Sequence, residues 1–313
     1  MGAEELNKAL NMEPGSGGDF VPVPLANEYF EFISRKAKGR QLFTVVPMEK
    51  DKVMYPALTG EFNVYYIPPG MRAVLSQFET DHVDLEAKRF MVATNIEETL
   101  LENANVNFMP IVENGFANAM GKGEDLAMVQ GDPSHKATAD KPSEATEDDW
   151  FVFDPRCSYQ GLIDKALQDG PTPIDLAGGD ITTNLYTEIA ASLGKYADDP
   201  TLLATLIHPT TAYRQLWPLD AFIEASKYGT VQTLWTGEIG RIYGIRQILW
   251  GAMPQHTLLT TPIYNVFIGD TKHYKFRTET DIYSEQIGVV NSMRACIGAP
   301  YPDALQIVQN VGA

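Results

Sequence analysis

Residues 62 to 78 read FNVYYIPPGMRAVLSQF, a run of aromatic and branched apolar side chains interrupted by Pro68, Pro69 and Gly70. The flanks carry strand signals. "LFTVVPM" and "KVMYPALT" precede the run, and in "FETDHVDLEAKRFMVATNI" after it Val83, Leu85 and Ala87 alternate with charged residues. Alternation at period two marks strands with one covered face, and Pro-Pro-Gly sets a turn. Residues 45–93 are therefore expected to form a long two-stranded excursion with its tip near Pro68 to Gly70. Two lone strands are marginal in water. An excursion of this length needs a surface to lie on.

The first residues make the same demand. "AEELNKALN" has helical spacing, Gly and Pro in "EPGSGGDFVPVP" forbid regular structure, and "LANEYFEFISRKAKG" resumes a helix through Leu25, Tyr29, Phe32 and Ile33. An arm of this kind cannot bury its own apolar side chains. The rest of the chain can: 44% of its 313 residues are hydrophobic, enough to core one or two domains.

The net charge of −17 opposes a nonspecific grip on nucleic acid, which needs clustered Lys and Arg. It suits a protein that stays soluble at high concentration. Cys157 and Cys296 are too few for a disulfide framework or a zinc site, and are expected to be reduced and packed, as in a cytoplasm. No stretch reaches the roughly 18 apolar residues of a membrane span. "MGAEELNKAL" lacks the cationic start and apolar run of a secretory signal, and Leu6 stands where a myristoylation motif has Ser or Thr.

The strongest helix signal begins at Thr94. Thr94 and Glu97 fit a capping box, and Ile96, Leu100, Ala104, Phe108, Ile111, Gly115 and Ala119 recur along one face. Pro110 interrupts this helix, and Gly121 and Gly123 are expected to end it. "GFANAMGKGEDLAMVQGD" passes within one residue of a phosphate-binding loop, but five residues separate Gly115 from Gly121, and Gly123 replaces the hydroxyl residue. Its Gly-Lys-Gly also follows a helix, where free carbonyls repel an anion, instead of opening one.

Beyond it, residues 131–149 are polar, proline-interrupted and acidic, the composition of a surface loop. A second amphipathic helix turns Ile181, Leu185, Ile189 and Leu193 inward, with Asp180 as its expected N-cap. "TLLATLIHP" reads as a buried strand and "TTAYRQLW" as a helix. "GEIGRIYGIRQILWGAMP" and "PIYNVFIGDTKHYKFRTETDIY" read as strands with turns at their glycines, and the last segment as strand, Pro-marked turn and strand. Helices and strands mix without βαβ regularity, so the class is α+β.

Chemistry is hard to place on this chain. His82, His135, His208, His256 and His273 lie far apart, without metal-ligand spacing, and no nucleophile elbow, dinucleotide fingerprint or calcium loop occurs. Gly237, Gly240 and Gly244 match no phosphate motif, and the acidic run at Glu147 to Asp149 has the composition of a solvated face. No catalytic, cofactor-binding or metal residue is therefore assigned.

The order of segments resembles the major capsid protein family of tailed bacteriophages, the Hong Kong 97 fold, from about Gly17 to Val308. "GGDFVPVPLANEYFEFISRKAKGRQLFTVVPM" is similar to the family's arm and first helix, and "FETDHVDLEAKRFMVATNIEETLLENANVN" to its return strand and spine helix. "GEDLAMVQGD" resembles the helix end and turn that follow, "QGLIDKA" the segment after the variable loop, and "TLLATLIHPTTAYRQLW" the axial strand and helix. "GEIGRIYGIRQILWGAMP", "VFIGDTKHYKFR" with a Gly-Asp turn, and "MRACIGAPYPDALQIV" complete the series.

The resemblance implies an N-terminal arm (1–44), an extended β-hairpin loop (45–93), a peripheral domain with a long spine helix (94–160 and 262–288) and an axial domain (161–261 and 289–313). It implies a structural protein, not an enzyme, that self-assembles into hexamers and pentamers of an icosahedral head enclosing double-stranded DNA. That head belongs to the virion and is built in the host cytoplasm. Implied partners are other copies of the chain, a separate scaffolding protein, a portal and decoration proteins, with no cofactor, no membrane and no sequence-specific DNA contact. No scaffolding segment precedes the arm, so either scaffold is a separate protein or the chain is already mature, and the Met start favours the first. The loop tip, Tyr66, Ile67, Pro68, Pro69, Gly70, Met71 and Arg72, is the implied contact with a neighbouring subunit. The family's prototype joins a loop lysine to an asparagine beside a glutamate. Here the tip has no lysine, Lys50, Lys52 and Lys88 lie at its base, and Glu279 and Glu285 have only Asn265 and Asn291 as the nearest asparagines. A noncovalent shell is expected. The alternatives are an encapsulin-like nanocompartment and a soluble enzyme with an unrecognised site.

Overall fold

The computed structural model describes residues 38–58, 60, 62–77, 79–99, 108–134, 154–224, 238–281 and 285–312. The expected arm up to residue 37 and the polar segment 135–153 lie outside them.

A short helix, α1 (Gly39–Leu42), leads into β1 (Thr44–Pro47), then β2 (Lys52–Leu58), β3 (Thr80–Glu86) and β4 (Lys88–Glu97). β2 and β3 pair antiparallel from Lys52↔Glu86 to Leu58↔Thr80 and form a sheet of two strands. This is the hairpin that the alternation predicts. Its alternate residues Val53, Tyr55 and Val83 pack with Met48, Leu85 and Cys296, while Met54 and Leu58 face outward.

β4 differs from expectation. Thr94 and Glu97 are strand residues, not a helix cap. Phe90, Val92, Thr94 and Ile96 turn inward while Met91, Ala93, Asn95 and Glu97 turn out, the period of a strand with one covered face. β4 pairs with β12 (Gln286–Gly298) from Glu97↔Gln286 to Lys88↔Ala295. That distant ladder outweighs the local cap signal. The sheet order is β1-β11-β12-β4, with β11 spanning Phe267–Asp281.

The long helix is α2 (Phe108–Gln130), which continues through Gly121 and Gly123 and ends at Gly131. Its covered stripe is Val112, Phe116, Met120, Glu124, Ala127 and Met128, so Gly115 and Ala119, expected inward, are exposed. Leu100 and Ala104 lie outside the described residues. Phe116 packs with Ile96 and Val289, and Met120 and Ala127 with Phe90, Tyr159 and Met293, which lays α2 across β4 and β12. Mid-helix glycine costs about 1 kcal/mol relative to alanine, a penalty that this packing exceeds.

The second sheet has seven strands in the order β5-β13-β10-β6-β9-β8-β7. Its helices are α3 (Leu162–Gln168) and α4 (Thr183–Leu193). Its strands are β5 (Ile174–Asp175), β6 (Leu203–Ile207), β7 (Ile223–Glu224), β8 (Glu238–Ile242), β9 (Ile245–Leu249), β10 (Leu258–Pro262) and β13 (Gln306–Gln309). Every residue of β6 is buried because both faces of the sheet are covered. Leu203 and Ile207 face α4 through Leu185, Ile189 and Leu193, whereas Ala204 and Leu206 join α3, Met128 and Trp250. The cap of α4 is Thr182, and Asp180 instead accepts from Gln215 Nε2 at 2.7 Å.

One further expectation changes. Gly269–Asp270 is no turn but lies inside β11. A Cβ at residue 269 would sit 2.4 Å from Met48 Sδ and 2.7 Å from Cys296 Sγ, so glycine lets the hairpin root approach the strand. β1, β4 and β12 run across positions 44/45, 93/94 and 288/289.

Candidate assembly site

The hairpin tip carries the largest exposed apolar side chains of the described residues. Val64 is 97% exposed, Tyr66 and Leu75 90%, Met71 70% and Phe62 62%. Gly70, at φ +87°, makes the turn, and the Met71 N–H donates to Pro68 O at 3.2 Å. Of the expected contact residues, Ile67 is half-buried, and Tyr66, Pro68, Pro69, Gly70, Met71 and Arg72 are exposed. The strands below the tip span roughly 20 Å at about 3.3 Å per residue. Apolar surface presented so far from any core marks an interaction surface.

The root of the hairpin is held by charge as well as packing. Lys52 Nζ lies 3.0 Å from Asp84, Lys88 pairs with Glu86 and Arg294 with Asp51. Lys52 and Lys88, two of the three lysines at the base of the loop, thus sit beside carboxylates of the hairpin. Asn265 is buried and exchanges two hydrogen bonds with the Tyr301 backbone, and Asn291 is buried in β12 opposite Phe276 and Val92. The subunit brings none of these asparagines to the loop tip.

The end of the arm is clamped by charges that sequence reading did not connect. Asp125 of α2 accepts from the Lys38 N–H at 2.7 Å, the Gly39 N–H at 2.9 Å and Trp250 Nε1 at 2.9 Å. Lys38 Nζ donates to Leu249 O at 2.7 Å. Next to them, Arg40 donates through Nε and Nη2 to Glu124, at 2.8 and 2.9 Å, and through Nη1 to Asp270 at 2.7 Å. Burial pushes the Glu124 and Asp125 carboxyls up, against Arg40 and the arm's N–H groups. Burial opposes the Arg40 charge, but its two carboxylate partners hold the guanidinium above its usual range. The acidic pair in "GEDLAMVQGD" was the only sequence signal, and that stretch read as a helix end and turn.

Gly121-Lys122-Gly123 lies inside α2, so its amides serve the helix and offer no cradle for phosphate. Among the described residues no three His, Cys, Asp or Glu side chains gather as a metal site. Cys296 is buried, and burial pushes its thiol up to about 11. A cavity of about 330 Å³ lies between hairpin root and α3, lined among others by Glu86, Lys88, Tyr159 and Lys165.

A family model described as the phage capsid family matches residues 17–143. The major capsid protein of Klebsiella oxytoca phage phiKO2 is 25% identical over 140 residues, 44% of this chain and 32% of that protein. The chain thus aligns with about a third of that relative's length. Solved structures extend the likeness to the whole fold. The capsid of an empty GTA particle matches with a TM-score of 0.68 at 12% identity, over 97% of this chain and 100% of that one. The chain from cyanophage P-SCSP1u gives 0.65 at 12% identity, over 95% of each. Mycobacterium phage Adephagia gives 0.63 at 14%, over 96% and 98%. The fold is that of Hong Kong 97-type capsid subunits.

Proposed function

We propose that the chain belongs to the phage capsid family, whose model matches residues 17–143, and that it is the major capsid protein of a tailed phage, a structural protein and not a catalyst. Copies of it assemble into hexamers and pentamers, and these close into the icosahedral head of the virion around double-stranded DNA. Heterologous contacts between identical subunits build rings of this kind. The hairpin tip, from Tyr66 to Arg72, is the contact that each copy extends over its neighbour. Scaffolding, portal and decoration proteins fit this role as separate partners.

The observation that carries the reading is the tip itself. Burying Phe62, Val64, Tyr66, Met71 and Leu75 would contribute on the order of 10 kcal/mol per subunit before ordering costs, taking about 1.5–3 kcal/mol for each side chain. Val64, Tyr66, Met71 and Leu75 are each at least 70% exposed in the subunit. The net charge of −17 is consistent with a wall from which packaged DNA is repelled. The test is deletion of residues 64–76. The shortened subunit is expected to keep its circular dichroism and melting transition and to form no complete shells. Loss of the fold would show that the hairpin belongs to the core and is no assembly arm.

A further inference from the structure

We propose that the open face of the four-stranded sheet contacts nucleic-acid phosphate, with Arg89, Lys275 and Arg277 touching the backbone of the enclosed duplex DNA without reading its sequence. The inference rests on the shell reading above and assigns a wall contact that the reading leaves open.

The face follows from the register. Directly opposed residues of antiparallel strands point to the same side of a sheet. β12 sets Arg294 opposite Arg89 of β4, Ser292 between Met91 of β4 and Lys275 of β11, and Val290 between Ala93 and Arg277. The other side carries Phe90, Met293 and Val289, which pack beneath α2. α2 therefore covers one face and leaves the cations on the other, where Arg89, Lys275 and Arg277 are exposed. At about 4.8 Å between strands and about 3.3 Å per residue, the three lie within roughly 20 Å of one another.

Their lack of partners is the informative observation. The chain has 24 Lys and Arg against 41 Asp and Glu, so carboxylates are in excess to pair with any cation. Arg294 is held by Asp51, and the nearby carboxylates Asp84 and Glu86 by Lys52 and Lys88. Among the described residues no ion pair engages Arg89, Lys275 or Arg277. The carboxylates of this face, Glu97, Glu279 and Asp281, lie toward its opposite end. The sequence disperses these cations over two distant stretches, and the sheet gathers them into the cluster that phosphate binding needs.

A phosphate backbone fits this cluster better than a protein surface does. Protein contacts are anchored by apolar and aromatic side chains that leave water together. Here Met91 is the large apolar side chain exposed between the cations, beside Ser292 and Ala93. Guanidinium forks bond phosphate oxygens in pairs and an ammonium acts as a point charge, and neither needs a base edge. The acidic remainder of the subunit repels the duplex. Contact is thereby confined to one face, and DNA touches the wall without adhering broadly to it.

The test uses the purified full chain and a fluorescent duplex of mixed sequence, about 20 base pairs long, read by anisotropy. Three phosphate contacts give log affinity a slope of roughly −2.7 against log salt, so binding should weaken about 40-fold between 50 and 200 mM. Arg89→Gln/Lys275→Gln/Arg277→Gln should melt like wild type, bind at least tenfold more weakly at the lower salt and lose most of that slope. Lys195→Gln/Arg214→Gln, at two exposed cations outside this sheet, should bind within about threefold of wild type. Wild type without salt-dependent binding, or an unchanged affinity in the triple variant, overturns the assignment. If the triple variant keeps its affinity and forms no particles, the face is a contact with a protein instead. Particle formation is scored separately by sedimentation, and a wild type that forms none removes the shell reading whatever the duplex shows.

Discussion

Asp125→Ala isolates the clamp that fixes the end of the arm. The carboxylate accepts from three donors: the Lys38 and Gly39 amides at 2.7 and 2.9 Å, and Trp250 Nε1 at 2.9 Å. Trp250 is 1% exposed and Gly39 is buried, so water cannot easily replace the lost acceptor at either. A stranded buried donor costs about 1–3 kcal/mol. Lys38 is only partly buried and counts for less. Relief from burying a charge offsets some of the loss, since burial already pushes this carboxyl up. The net expectation is a loss of about 3 kcal/mol, against a total stability of roughly 5–15 kcal/mol for a domain. Asp125→Asn should lose less, because it keeps one acceptor oxygen. Denaturant unfolding of unassembled subunits measures the cost, and hydrogen exchange locates it: the Lys38 and Gly39 amides should lose protection first. A loss below about 0.5 kcal/mol, the range of an ordinary surface substitution, would refute the view that these bonds anchor the arm.

Lys122→Ala, inside α2, should change stability by no more than about 0.5 kcal/mol and leave assembly unaltered. Calorimetry should find no saturable ATP binding in either protein, and binding that vanishes in the variant would revive the phosphate loop. Because the thiolate is the nucleophile, Cys296, with its thiol near 11, should resist alkylation at pH 8 until the chain is denatured, whereas the partly exposed Cys157 reacts first. Mass mapping distinguishes the two, and early labelling of Cys296 would contradict its burial. Shells boiled in detergent should release one band near 34.6 kDa. The exposed tip carries Arg72 and no lysine, so a ladder of oligomers resistant to reductant would identify a lysine elsewhere in the chain as a cross-linking residue.

Much of this fold was legible where the signal is local. The hairpin is spelled out by its alternation and by Pro68-Pro69-Gly70, and its need for a partner follows from the lack of a third strand. β6 and the buried face of α4 are equally plain, because each is a dense apolar pattern of the right period. What failed depends on partners far along the chain. Thr94 and Glu97 satisfy a helix cap on paper, yet β12 pairs with them and turns them into strand. Gly121 and Gly123 look like a helix stop, yet Arg40 and Trp250 donate to the Glu124 and Asp125 carboxylates that follow, Asp270 also accepts from Arg40, and the helix runs on to Gln130. Gly269-Asp270 has the composition of a turn but serves as the close-contact point for Met48 and Cys296. The apolar character of the tip could be read directly. The buried face of α2 could not, because Gly115 and Ala119 were assigned inward while the true stripe, with Phe116 and Met120, lies one residue further on.

The central claim is that this chain builds a closed shell from copies of itself. Sedimentation and electron microscopy of the purified chain, alone and with the proposed scaffold and portal partners, test it most directly. The account predicts particles of megadalton order, closed and icosahedral, made of the intact chain. A protein that remains a monomer or small oligomer under every assembly condition would contradict it.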